Sequence, residues 1–81
     1  MNSHRLSTPY TLLDWVIQRG RHLLAVRVSR AGELYEISVC SPGRKGRLHA
    51  EFCRGGATAL RLHAALVAGF RDAGWRSVAY R

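Results

Sequence analysis

Three cations fall within four residues at Arg44, Lys45 and Arg47, in the stretch VCSPGRKGRLH, where Gly43 and Gly46 flank them. A glycine-rich loop lets the backbone come close to a ligand, and each guanidinium or ammonium group donates charge-assisted hydrogen bonds. Such a loop can therefore grip phosphate oxygens. Arg19 and Arg21, with His22 beside them, offer the same chemistry, as do the single residues Arg54 and Arg76. Over the whole chain thirteen Lys and Arg stand against five Asp and Glu, a formal charge of +8 that attracts polyanions before any specific contact forms. Lys45 is the one lysine among those cations. That bias suits forked guanidinium contacts and follows equally from GC-rich coding of the bacterial kind.

Other reactive side chains point to less. Cys40 and Cys53 are too few for a disulfide framework, and no C-x-x-C pair suggests zinc or a redox centre. His49 between them in space would suggest a metal site or a Cys–His nucleophile, but the strand register expected below sets Cys53 three rows from Cys40. That is too far for one tetrahedral site. His63 sits at the edge of a helical apolar stripe, where it reads as a packing residue, and His4 lies in the loose first residues. Glu36 and Glu51 flank Arg27 as an expected ion triad, which leaves no free carboxylate pair for acid–base work. The expectation is no catalytic residue, no metal and no cofactor: a binding module rather than an enzyme.

The elements that position these residues follow from periodicity. TPYTLLDWVIQRG offers Thr8 as an N-cap, Pro9 in the first turn and Gly20 as a left-handed stop, which predicts a helix over about 9–19; Trp15-Val16-Ile17 favours the rival strand. HLLAVRVSRAGELYEISVC alternates on both sides of an Arg30-Ala31-Gly32-Glu33 turn and predicts a hairpin, and RLHAEFCR predicts a third strand. Pairing Arg30 with Glu33 and Cys40 with Arg47 stacks Leu24-Val39-Leu48, Val26-Ile37-Ala50 and Val28-Tyr35-Phe52 on one apolar face. The opposite face then carries Cys40, His49 and the pair of Arg27 with Glu36. GGATALRLHAALVAGFRDAG places Ala59, Leu62, Leu66, Phe70 and Ala73 on one stripe, with Thr58 as cap candidate and Gly74 as stop, and WRSVAYR alternates as a last strand.

The expected fold is thus α+β, a single domain over 1–81 with residues 1–6 loose, in the order α-β-β-β-α-β. Its antiparallel sheet would carry the long C-terminal helix on one face. Helix, three strands, helix is also the order of the double-stranded-RNA-binding domain, and TPYTLLDWVIQRG resembles that family's first helix. In that family the second helix opens on a basic cluster that grips phosphates. Here the corresponding residues are Gly56, Ala57, Thr58 and Ala59, flanked by Arg54 and Arg61, so the RNA-gripping residues do not carry over.

With no apolar run long enough for a membrane span and no apolar core of a signal peptide in NSHRLSTPY, a cytoplasmic protein is expected. Its expected ligand is nucleic acid, met through Arg44, Lys45, Arg47, Arg19, Arg21, Arg54 and Arg76. The alternative is an acidic protein partner or a second copy, meeting the outer sheet face or the basic loop.

Overall fold

Strand β1 (Tyr10–Arg19) opens the described chain and pairs antiparallel with β2 (His22–Ala31) along nearly its whole length. The computed structural model describes residues 10–43 and 46–80. After β2 come β3 (Leu34–Cys40), β4 (His49–Cys53), helix α1 (Gly56–Asp72) and β5 (Arg76–Tyr80). One antiparallel sheet results, in the order β4-β3-β2-β1-β5, because α1 carries the chain back across the sheet so that β5 pairs with β1. The α+β class stands, and the element order is β-β-β-β-α-β.

The helix expected over 9–19 is therefore a strand from Tyr10 onward. Leu13, Trp15 and Ile17 alternate with Asp14, Val16 and Gln18, and the sheet uses that period of two, with Ile17 only 1% exposed. Gly20, with φ of 61°, turns β1 into β2, and Gly32, with φ of 64°, turns β2 into β3. In each hairpin loop the glycine takes the left-handed backbone that the tight turn requires. This strand ends the parallel with the double-stranded-RNA-binding order. Thr8, Pro9 and the expected loose residues 1–6 lie outside the described residues.

Two register corrections follow. Ala31 pairs with Leu34 and Arg30 with Tyr35, so β3 lies displaced from the expected pairing of Arg30 with Glu33; the displacement is even, and the faces survive. For β4 the partner of Val39 is His49 and that of Glu36 is Phe52, an odd shift that turns every β4 side chain over. Phe52 and Ala50 consequently lie on the outer face, Phe52 at 59% exposure, while Cys53 packs inward; Leu48, in the bend just before the strand, is 67% exposed. Helix α1 begins two residues after Arg54, and its Ala59 is fully buried beside Cys53, a place where a small side chain fits.

The core lies between the sheet and α1. Ile17, Val26, Val39 and Val67 form one cluster with Trp15, Leu24, Leu66, Phe70 and Trp75 around it; Val28, Ile37 and Ala59 form the other, bordered by Leu13, Tyr35, Cys53 and Leu62. His63 is buried in the helix face, its Nε2–H donating to Val26 O at 3.1 Å and its ring edge-on to Trp15. Gly55, with φ of 85°, caps α1 without a side-chain bond, so Thr58 is not the cap. The last turn closes through Trp75 N–H to Phe70 O and Gly74 N–H to Arg71 O, with Phe70 and Trp75 in edge contact at 5.7 Å.

Candidate nucleic-acid interface

Antiparallel strands joined by tight turns send alternate connections to opposite ends of the sheet, and this sorts the arginines. The β1–β2 turn brings Arg19 and Arg21 to one end. The same end receives the C-terminus of α1 with Arg71, and Arg76 at the start of β5, opposite Gln18. The stem of Arg19 passes close to Gly74, where an added Cβ would lie 3.7 Å from Nε. Arg19, Arg21, Arg71 and Arg76 are all exposed, and none of the four is in an ion pair among the described residues. Arg71 in the last turn also sits favourably against the negative end of the helix dipole.

Arg47 behaves differently. Its Nη2 donates to Glu36 Oε1 at 3.1 Å and its Nε pairs with Glu36 Oε2. Glu36 is 3% exposed in the middle of the outer face, so Arg47 neutralises an internal acid rather than waiting for an external one. Arg54 stands at the far end of the sheet, between β4 and the start of α1, away from the arginine cluster. Arg44 and Lys45 lie outside the described residues. The seven expected phosphate contacts thus divide: Arg19, Arg21 and Arg76 come together, Arg47 and Arg54 do not.

Other expected groupings dissolve with the register. Arg27 faces Ser38 and Asp14, and its Nε bonds Asp14 Oδ2 at 3.2 Å; the expected partner Glu36 belongs to Arg47. Glu51 binds His49 Nε2 at 2.7 Å on the helix side of β4, so no triad forms around Arg27. Cys40 points to the outer face and Cys53 to the core, on opposite sides of the sheet, with both thiols free. Among the described residues no three His, Cys, Asp or Glu side chains gather around a common point where a metal would sit. No described helix is long and apolar enough to cross a membrane.

Sequence reasoning does not reach Arg71 or the wall beside it. A cleft of about 510 Å³ lies next to the arginine cluster, lined by Trp15, Arg71, Ser77, Val78 and Ala79. It exists because α1 packs on β2 and β3 and leaves the helix-side surface of β1 and β5 partly uncovered. Arg71 is legible as a helix C-terminal cation, but its neighbours can be found only once β5 is placed against β1.

The chain matches no known protein family, no curated protein and no solved structure.

Proposed function

We propose that this chain is a small basic binding module that contacts nucleic acid through phosphate-directed arginines at one end of its sheet. The observation that carries the reading is the convergence of Arg19, Arg21, Arg71 and Arg76, drawn from three separate parts of the chain, without an ion-pair partner among the described residues. Four unneutralised guanidinium groups at one end, on a chain of charge +8, form a field that draws in phosphates and releases their counterions. The cleft beside Arg71 has an apolar wall in Trp15 and Val78 and the volume of a small-molecule site, enough for one unpaired base. Single strands should therefore bind more tightly than duplex of equal length.

The test is a titration of the chain with single-stranded DNA, single-stranded RNA and duplex DNA at two salt concentrations. The reading expects binding at low salt that weakens as salt rises. Each phosphate neutralised on a single strand adds about 0.7 to the slope of log affinity against log salt, so the triple variant Arg19→Ala/Arg21→Ala/Arg76→Ala should show a slope shallower by about two. Absence of binding to all three nucleic acids at low salt, or a triple variant that binds like its parent, overturns it.

A further inference from the structure

We propose that β4 is a self-pairing edge, through which two copies of this chain join antiparallel into one continuous sheet. The inference is independent of the nucleic-acid reading. β4 is an outermost strand, with β3 on one side and, among the described residues, no strand on the other. Its outward positions Ala50 and Phe52 are apolar and exposed, as is Leu48 in the bend that leads into the strand, which is unusual for an edge strand, where charges and prolines ordinarily discourage pairing. Its other side presents His49 and Glu51, two residues apart and opposite in charge when the imidazole is protonated.

Those residues select both the partner and the register. A two-fold axis through Ala50 sets Ala50 opposite its own copy and His49 opposite the second copy's Glu51, and brings Phe52 to the second copy's exposed Leu48, which bends into the strand with its N–H bonded to Val39 O. Apolar meets apolar and imidazole meets carboxylate at every position. Moving the axis one residue to Glu51 would oppose two carboxylates and set Leu48 against an arginine, so the sequence of β4 is complementary to itself in the first register. The other outer strand, β5, does not offer the same template: its ladder to β1 is broken by an extra residue between Ser77 and Ala79, the kind of bulge that blunts an edge. Whole-molecule charge agrees with the antiparallel arrangement. The arginine cluster lies toward the start of β4, so a two-fold pairing sends the two basic ends in opposite directions and keeps like charges apart.

The interface is short and the complex correspondingly weak, in the class of small transient contacts. Sedimentation or light scattering of the full chain across a concentration series, in moderate salt and without nucleic acid, should show the mass rising from 9.1 kDa toward twice that value. Phe52→Lys alters an exposed side chain, should leave the circular dichroism spectrum unchanged, and should hold the chain monomeric. Register is read by oxidative crosslinking in a chain whose two free thiols are removed by Cys40→Ser and Cys53→Ser, so that an added cysteine is the sole thiol. Directly opposed Cα atoms in antiparallel strands lie about 4.5–5.5 Å apart, within disulfide reach, so Ala50→Cys should form a covalent dimer. Leu48→Cys alone should not, because its own copy stands four residues away, but Leu48→Cys mixed with Phe52→Cys should crosslink. A constant monomer mass at all concentrations overturns the proposal. So does a Phe52→Lys variant that still dimerises, or a Leu48→Cys chain that links to itself as readily as Ala50→Cys.

Discussion

Arg47 shows how one side chain can be misjudged from the sequence. Beside Arg44 and Lys45 it reads as a third exposed cation whose removal would cost the fold nothing. In the structure it lies over Glu36, whose side chain is 4% exposed against 50% for the arginine. Removing it strands a buried carboxylate, so Arg47→Ala should destabilise the chain by about 1–3 kcal/mol in urea unfolding at neutral pH, while Glu36→Gln/Arg47→Ala recovers part of that stability. Equal stability of Arg47→Ala and wild type would mean that the pair contributes nothing. His63 makes a second prediction. Burial holds its pKa below the ordinary 6.5, and the bond to Val26 O opposes that shift only in part. The folded state binds the proton less readily than the unfolded state, so the neutral ring's contribution is complete above pH 6.5 and fades as pH falls toward the depressed folded value. Urea midpoints should thus drop between pH 7.5 and pH 5, and the drop should be smaller in His63→Gln. An identical pH response in the variant would assign the drop to other groups.

Elements with a strong internal period are legible in the sequence, and those whose identity depends on a neighbour are not. The stripe from Ala59 to Phe70 and the stop at Gly74 locate α1 from residues alone, and the alternation of β2 and β3 assigns their faces correctly even though the pairing slides. Residues 10–19 carry apolar groups compatible with both periods. Only the partner β2 along one side and β5 along the other decide for a strand. β4 is inverted because the length of the connection from Cys40 fixes parity, and two glycines with φ of 81° and 90° in it leave that length open to more than one path. The arginine cluster is legible in its residue types and hidden in its geometry, since Arg71 joins Arg19 only when α1 returns to the β1–β2 turn. The end of α1 supports a prediction at this scale. Gly74 has φ of 96°, and an added Cβ would meet nothing closer than 3.7 Å. The cost of Gly74→Ala is therefore conformational, about 1–2 kcal/mol. For a domain of this size that lowers Tm by several degrees, measurable by thermal circular dichroism. An unchanged Tm would show that the last turn rearranges without penalty.

At the scale of the whole molecule, three of the five acids are committed to local partners, and the basic end, where Asp72 stands against four arginines, keeps an excess of positive charge. Asp14 binds Arg27, Glu36 binds Arg47 and Glu51 binds His49, while Arg19, Arg21, Arg71 and Arg76 gather at one end of the sheet. Two like unit charges about 8 Å apart in water repel by about 0.5 kcal/mol, which sets the scale of the repulsion among arginines gathered at one end. Salt should relieve that cost: between about 0.01 M and 0.15 M the screening length contracts from about 30 Å to about 8 Å. The half-buried pair of Glu36 and Arg47 is screened much less than the exposed arginines, so the balance should favour the folded state as salt rises. Tm should therefore climb by a few degrees over this range, and inorganic phosphate at equal ionic strength should raise it further by occupying the cluster. Arg19→Ala/Arg21→Ala should start from a higher low-salt Tm, respond less to sodium chloride, and show no extra effect of phosphate. A Tm that falls with salt would mean that attractive ion pairs outweigh the repulsion among these arginines, and would remove the electrostatic basis for placing a polyanion there.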